Sequence, residues 1–117
     1  LDERNFGGNT RNIVFDFTDL DNPSVHMNYY GLTTAIDHNG YVKGNDYYLA
    51  NYSAGIRVID ITAISNETMT EIGYFDTFPS NDNASFNGVW NVYPYFSSGN
   101  IIISDINSGF YIVRKSE

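Results

Sequence analysis

Two stretches decide the fold: Ser53-Ala54-Gly55-Ile56-Arg57-Val58-Ile59-Asp60 and Asn107-Ser108-Gly109-Phe110-Tyr111-Ile112-Val113-Arg114, which align at a spacing of about 54 residues. In each, a glycine turn leads into a run of β-branched and aromatic residues, which is the pattern of a short strand after a tight turn. An earlier copy, residues 10–18, aligns with residues 54–62. A unit that recurs every 40 to 55 residues or so indicates a repeat protein.

The rest of the chain carries the same strand pattern. No stretch has the sustained apolar stripe of a helix, and clusters of Gly, Asn, Asp and Ser separate the apolar runs at short intervals. Such residues supply the tight turns that join antiparallel neighbours, so the sequence predicts an all-β meander. The predicted strands are residues 11–17, 25–31, 35–43, 46–52, 55–62, 70–76, 88–95, 100–105 and 109–114.

Four short strands per repeat is typical of a β-propeller blade. Residues 35–77 are predicted to form one complete blade, preceded by a partial blade at 10–31 and followed by another at 86–114. The fold class is therefore all-β, with about two and a half antiparallel blades, and residues 1–117 are a single propeller segment. Because a propeller needs at least about four blades to hide its edges, we expect the remaining blades of the same protein, or self-association, to complete it.

Composition excludes several classes of protein. The chain has 117 residues, no cysteine, 14 acidic against 6 basic residues and 16% aromatic residues. This aromatic content is too high for a disordered segment. The net charge of −8 disfavours binding to nucleic acids and to anionic membrane surfaces. No apolar run is long enough for a membrane span. The start, Leu1-Asp2-Glu3-Arg4, has neither Met nor a signal-peptide pattern, so we expect a piece of a longer protein.

Several stretches resemble a known family. Residues 55–61, followed by Thr70-Glu71-Ile72-Gly73-Tyr74-Phe75-Asp76-Thr77, resemble the LVIVD repeat. Together with residues 14–23, 33–45 and 87–100, they make nearly the whole chain similar to the choice-of-anchor B proteins. The resemblance implies a bacterial, secreted or cell-surface protein with a propeller-like body and no assigned catalytic activity. It brings no active-site residues to this chain.

The strongest candidates for ligand binding are Asp37, His38, Trp90 and Tyr93. A carboxylate beside an imidazole can serve acid–base chemistry, but adjacent strand residues point to opposite faces, so a hydrogen-bonding role at a turn is favoured for Asp37-His38. Trp90 and Tyr93 are the best candidates for stacking on a glycan, although packing between blades is the favoured role for the aromatic residues as a group. His26 is interpreted as an ordinary strand residue.

Oxygen-rich loops suggest calcium as a possible ligand. Asp19, Asp21 and Asn22 provide hard donors near one turn, and residues 81–83 provide more in another. The match to an EF-hand is poor, since the glycine and the distal glutamate are missing, and an ordinary turn uses the same residues. With two histidines and no cysteine, a structural zinc site is disfavoured. No other cofactor is indicated.

The functional hypothesis is a non-catalytic, extracellular binding or scaffold module that contacts protein or glycan at the cell surface. The alternative is a segment of a propeller-type hydrolase, with catalytic carboxylates facing the central channel, because paired carboxylates from different blades are invisible in the sequence. We predict no nucleic-acid partner and no membrane span in this segment.

Overall fold

The computed structural model describes residues 3–4 and 7–116, and in them the protein is an antiparallel all-β structure. A 3-10 turn, Ile64–Asn66, interrupts the strands. No helix in this part of the chain is long and apolar enough to cross a membrane. The strands are β1 (Arg11–Asp16), β2 (Ser24–Tyr30), β3 (Asn39–Lys43), β4 (Asp46–Ala50), β5 (Ile56–Asp60), β6 (Thr70–Phe75), β7 (Val89–Tyr93), β8 (Asn100–Asp105) and β9 (Gly109–Arg114).

The strands form three separate sheets, each made of neighbours in sequence. The first sheet is β1-β2, the middle sheet is β3-β4-β5-β6, and the third sheet is β7-β8-β9. The all-β class is therefore confirmed, and the strands lie where the sequence predicts them, with one difference. Residues 35–38, predicted as the start of a strand, form a loop before β3 because Asp37 turns inward to polar partners. No sheet closes on itself within the described residues.

The central strands of the middle sheet, β4 and β5, pack on both faces, and alternate side chains point to opposite faces. On one face, Leu49 and Ile59 pack with Tyr29 of the first sheet. The other face packs on the third sheet through a larger cluster. This cluster consists of Tyr48, Ala50, Ile56, Val58, Val89, Val92, Ile101 and Ile103.

The first and middle sheets repeat each other in detail. The β1–β2 pairing shifts between Val14 and Phe15, and the β5–β6 pairing shifts between Val58 and Ile59, which are the corresponding positions of the sequence alignment. A β-bulge causes such a shift and twists the strand locally. The turn after each strand is also the same, since Asp16 Oδ1 accepts from Thr18 N and Asp60 Oδ1 accepts from Thr62 N, both at 2.8 Å. The sequence repeat is therefore a structural repeat.

The third sheet carries the same apolar pattern on a face that is uncovered in this chain. Tyr111 and Val113 of β9 pack towards the middle sheet, as the alignment with β5 requires. Phe110 and Ile112 point the other way and are each 60% exposed. Their counterparts in β5, Ile56 and Val58, are buried against the third sheet.

Candidate ligand-binding site

Four loops meet at one end of the sheets, which we call the loop end. Thr34 Oγ1 donates to the carbonyl of Asp82 at 2.8 Å, and Ser53 Oγ donates to the carbonyl of Asn83 at 2.6 Å. Asn107 Nδ2 donates to Asn87 Oδ1 at 3.1 Å. These bonds join the segments 31–38, 51–55, 76–88 and 105–109, so loops from all three sheets form one surface.

Asp37 lies beneath this surface and is completely buried. Its Oδ2 accepts from Thr10 Oγ1 at 2.7 Å and from Asn12 Nδ2 at 2.8 Å, while its Oδ1 accepts from Asn51 Nδ2 at 2.7 Å. Thr10 directly precedes β1, Asn12 lies near its start, and Asn51 follows β4. The carboxylate therefore ties the first sheet to the middle sheet.

These three donor side chains are neutral, so they satisfy hydrogen bonds of the carboxylate without supplying an opposite charge. Burial raises the pKa of Asp37 to about 6, and the bonds from Thr10, Asn12 and Asn51 only partly oppose this. Tyr47 extends the network, since its hydroxyl donates to Asn12 Oδ1 at 3.1 Å, and burial raises its pKa as well. None of the bonds that the carboxylate accepts comes from His38. Asp37 has the hydrogen-bonding role favoured above, and a substrate at the surface does not reach it.

His38 points outward and stacks on Trp90. The two ring centroids are 4.1 Å apart, and the planes are 32° from parallel. His38 Nδ1 lies 2.5 Å from the carbonyl oxygen of Trp90, and because a carbonyl only accepts, this nitrogen carries a proton. His38 Nε2 faces Glu3 Oε1 at 3.7 Å. The indole is 46% exposed, with the imidazole fixed beside it.

Tyr52 supports this pair from below in a strained conformation. It is buried, and its φ of 36° lies in the left-handed region that bulky residues rarely adopt. Its carbonyl accepts from both Gly55 N and Val89 N at 2.9 Å, which holds the backbone there. Its ring meets Trp90 and exposed Phe86 edge-on, at centroid distances of 6.1 and 5.3 Å.

The hydroxyl of Tyr52 connects this support to the acidic group at the surface. It donates to Glu3 Oε1 at 2.9 Å. Burial and this bond raise the pKa of Tyr52, so the phenol stays protonated at physiological pH. The exposed rings of Trp90 and Phe86 therefore flank the buried ring of Tyr52, and the half-exposed carboxylate of Glu3 lies beside them.

A β-bulge aims Trp90 at the loop end. Val89 pairs with Asp105 and Asn91 pairs with Ser104, so Trp90 is an extra residue with no counterpart in β8. The equivalent strand of the middle sheet, β3, pairs with β4 without interruption. Bulges redirect side chains and are over-represented next to functional sites. Trp90 is thus a departure from the repeat.

Tyr93 belongs to a different cluster at the other end of β7. Its ring contacts Tyr95 and Phe96 edge-on, at 5.5 and 5.1 Å. Tyr93 pairs with Ile102 across β7 and β8, and Tyr41 pairs with Tyr48 at the equivalent place in β3 and β4. Tyr93 therefore occupies the same position of the repeat as Tyr41, which packs against the core shared with the third sheet. The structure brings together three of the four predicted ligand-binding residues, Asp37, His38 and Trp90, and leaves Tyr93 apart.

The proposed calcium ligands form a hydrogen-bonded turn. Asp19 Oδ1 accepts from Asp21 N at 3.0 Å, and Asp19 Oδ2 accepts from Asn22 Nδ2 at 2.9 Å. These bonds, with that from Asn22 the larger, lower the pKa of Asp19. Within the described ranges, 3–4 and 7–116, no three histidine or acidic side chains come close enough to hold a metal ion. Calcium binding remains a prediction that this geometry does not support.

The remaining candidates have structural partners. His26 Nε2 lies 2.7 Å from the carbonyl of Ile64, so it connects β2 to the 3-10 turn. For a hydrolase, Asp37 is inaccessible, and the acidic group nearest His38 Nε2, Glu3, is at 3.7 Å without a nucleophile beside it in the described contacts. The arrangement therefore offers a surface for stacking and hydrogen bonding.

Sequence reasoning missed most of the supporting residues. Thr10, Asn12 and Asn51 are common turn residues, and the contacts of Asn12 and Asn51 with Asp37 span sequence separations of 25 and 14 residues. Tyr52 looks like any strand tyrosine until its positive φ is known. One usable signal is the aligned position of Asn51 and Asp105, because both lie at the end of the second strand of their repeats and both are buried.

Comparison with known proteins gives no assignment: no protein-family model, curated protein or solved structure matches the chain.

Proposed function

We propose that this chain is a segment of an extracellular, bacterial β-propeller of the LVIVD-repeat type, acting as a non-catalytic binding or scaffold module at the cell surface. The propeller rests on the repeat between sheets and on a middle sheet packed on both faces. The bacterial surface location rests on the family resemblance alone. The net charge of −8 is compatible with it, since negative charge favours solubility.

The binding role rests on the presentation of Trp90. Large rings contribute most of the energy of many interfaces when they are held rigidly, and an indole face also stacks on the apolar face of a sugar. Trp90 is half-exposed, is aimed by a bulge and is held between His38 and Tyr52. Neither packing between sheets nor the repeat pattern requires an aromatic residue there.

Trp90 and Tyr93 provide a matched test, because both are aromatic residues of β7 and both are 46% exposed. Binding of the purified chain would be measured to a panel of immobilised bacterial surface glycans and to isolated cell-wall proteins. We expect Trp90→Ala to weaken binding by roughly tenfold or more, and Tyr93→Ala by about twofold or less. Equal losses in the two variants, or no binding to either panel, would contradict the proposal.

The propeller itself has a separate test in a longer form of the protein. If another sheet covers the third sheet, Phe110→Lys buries a charge there and lowers the free energy of unfolding by roughly 3 kcal/mol. In the 117-residue chain, where Phe110 is exposed, the same change should cost about 0.5 kcal/mol or less. A small effect in both forms would refute the packing that the propeller requires.

A further inference from the structure

A groove separates β2 of the first sheet from the start of β6 in the middle sheet, and we call it the outer groove. Met27, Tyr29 and Tyr30 of β2 line one wall, and residues 67–71 line the other. Its volume is about 470 Å³, which lies within the range of small-molecule sites.

The outer groove lies between strands that the chain contains in full. In the middle sheet, β3 and β4 lie on the far side of β5 from β6. Because β1 and β2 repeat β5 and β6, further strands of the first sheet would join the free edge of β1, away from the groove. The third sheet packs on the opposite face of the middle sheet, so strands that extend it are also remote from β2. The opening therefore does not depend on where the sequence begins or ends.

A buried ion pair borders the outer groove. Arg57 Nη1 donates to Glu71 Oε1 at 3.1 Å, both side chains are 10% exposed, and Glu71 lines the groove. The positions aligned with Arg57 in the other repeats are Ile13 and Tyr111, which are apolar or aromatic. Removing two charges from water costs free energy that an apolar pair avoids. The repeat therefore does not require this ion pair.

The hydroxyl of Tyr29 is available for hydrogen bonding in the outer groove. Tyr29 is 8% exposed, and its ring packs with Leu49 and Ile59. Among residues 3–4 and 7–116, its hydroxyl neither makes a hydrogen bond nor is fully enclosed. Burial and the nearby charge of Glu71 raise the pKa of Tyr29, so the phenol keeps its proton at neutral pH. Buried polar groups nearly always have a partner, and a ligand in the groove would supply one.

The charges at the outer groove favour a monocation. Glu67 and Glu71 contribute two carboxylates, and Arg57 balances one of them, so one negative charge remains. None of the described residues that line the groove is Lys, Arg or His. A monocation would make this set neutral, whereas an anion would add to its negative charge.

The remaining walls are largely apolar. Met27 and Met69 line the outer groove and pack against the cluster of buried residues behind it. Tyr30 and Leu32 also line it, and they are 57% and 69% exposed. A ligand that covers these side chains has an apolar stem in addition to its charge.

We propose that the outer groove binds a small molecule that carries a primary ammonium group on an apolar stem. An ammonium has three hydrogen-bond donors, which suit the carboxylates of Glu67 and Glu71 and the hydroxyl oxygen of Tyr29. The stem covers Met27 and Met69. The Trp90 site shares none of these residues, so the two proposals stand or fail separately.

The two methionines of the chain give a specific measurement, because both line the outer groove. n-Pentylamine hydrochloride would be titrated at pH 7 into the chain isotope-labelled at its methionine methyl groups. The resonances of Met27 and Met69 should shift and reach saturation. n-Pentanol and sodium pentanoate, which have the same stem without the positive charge, should bind at least about fivefold more weakly.

Tyr29→Phe is the sharpest variant, because it removes a hydroxyl that has no partner within the described structure. It should weaken pentylamine binding by about fivefold while leaving the urea midpoint unchanged or raised. Glu67→Gln should weaken binding by about twofold, since this carboxylate is exposed. Tyr95→Phe removes a hydroxyl at the third sheet, remote from the groove, and should leave pentylamine binding unchanged.

A capped lysine, N-acetyl-lysine N-methylamide, distinguishes the source of the ammonium group. Weaker binding of the capped lysine than of pentylamine supports a small-molecule ligand, and tighter binding would assign the groove to a protein side chain instead. The proposal is also overturned if pentylamine leaves both methionine resonances unchanged, if n-pentanol binds equally well, or if Tyr29→Phe binds pentylamine like the unmodified chain.

Discussion

β7 carries an equally exposed aromatic residue near each end, Trp90 at the loop end and Tyr93 at the opposite end, and the surroundings of the two differ. Tyr93 lies in an aromatic cluster with Tyr95 and Phe96. That cluster fastens the third sheet to the middle sheet, because Tyr95 donates to the carbonyl of Val42 and Lys43 donates to the carbonyl of Pro94, both at 2.7 Å. Tyr93 occupies a position of the repeat, and Tyr95 and Phe96 lie in the connection between β7 and β8.

The loop end combines features that packing does not need. A bulge adds Trp90, Tyr52 adopts a positive φ, and Asp37 is a buried acid that accepts hydrogen bonds from neutral side chains. Each costs free energy on its own, so other contacts must stabilise them. Exposure of the rings does not distinguish the two ends, whereas the backbone and the buried charge do. These features are the basis for the proposal that the loop end binds a ligand.

The largest expected difference in stability between the two ends is the effect of replacing two glycines, Gly88 and Gly99, that both have a positive φ. A Cβ on Gly88 would lie 2.2 Å from the carbonyl oxygen of Tyr52, so Gly88→Ala must move the backbone beneath the site. A Cβ on Gly99, in the turn beside Phe96, meets nothing within 4 Å. We expect Gly88→Ala to lower the free energy of unfolding by about 3 kcal/mol or more, and Gly99→Ala by about 1 kcal/mol for the positive φ alone.

The unfolding free energies of both variants can be measured by urea denaturation, with circular dichroism as the signal. Because both variants add the same methyl group at a similar φ, the comparison isolates the close approach of Gly88 to Tyr52. If the two variants were equally stable, the loop end would not depend on that contact, and the main structural difference between the ends would be lost.

The second prediction concerns pH, since the loop end holds Asp37, a buried acid with a raised pKa. The pKa of Asp37 is about 6 in the folded chain against 3.8 as its ordinary value, so the folded state binds more protons between these values. Its contribution to stability is full below pH 3.8 and is lost as pH rises through about 6. Asp37 should therefore make the chain less stable at pH 7.5 than at pH 5 by about 1 to 2 kcal/mol.

Asp37→Asn removes this titration while keeping the size of the side chain. The difference in unfolding free energy between pH 5 and pH 7.5 should shrink in Asp37→Asn and stay unchanged in Asp19→Asn. Asp19 is the control because the pKa of this exposed group is lowered, which places its titration below the range measured. Identical pH slopes for Asp37→Asn and the unmodified chain would mean that Asp37 is not buried as an acid.

The two ends also differ in how well the sequence predicts them. Strand positions and the repeat follow from the turn residues and the β-branched runs, and the structure bears them out because local pattern decides them. The Tyr93 cluster is of that kind, with its rings close in sequence around Pro94. The bulge at Trp90 depends on one extra residue in a pairing, and the burial of Asp37 depends on Thr10, which lies 27 residues away. No local pattern encodes such long-range contacts.

The smallest expected effect compares two tyrosine hydroxyls. Tyr47 donates to Asn12 Oδ1 at 3.1 Å within the Asp37 network, and Tyr95 donates to the Val42 carbonyl at an exposed position. Tyr47→Phe leaves a largely enclosed amide oxygen without its donor and should cost about 1 to 2 kcal/mol of unfolding free energy. Tyr95→Phe should cost about 0.5 kcal/mol or less, because water can replace the hydroxyl.

Both tyrosine variants lose one oxygen and keep the ring, so packing is held constant and denaturation in urea reports the hydrogen bond. A larger loss for Tyr95→Phe would reverse the comparison, and the polar contacts that join the sheets would then be concentrated at the opposite end. A cost that appears for Tyr47→Phe and vanishes in the Asp37→Asn background would instead show that the hydroxyl acts through Asn12 on the buried carboxylate. Coupling of that kind is expected of a fully connected network in a low-dielectric interior, in which each donor orients the next.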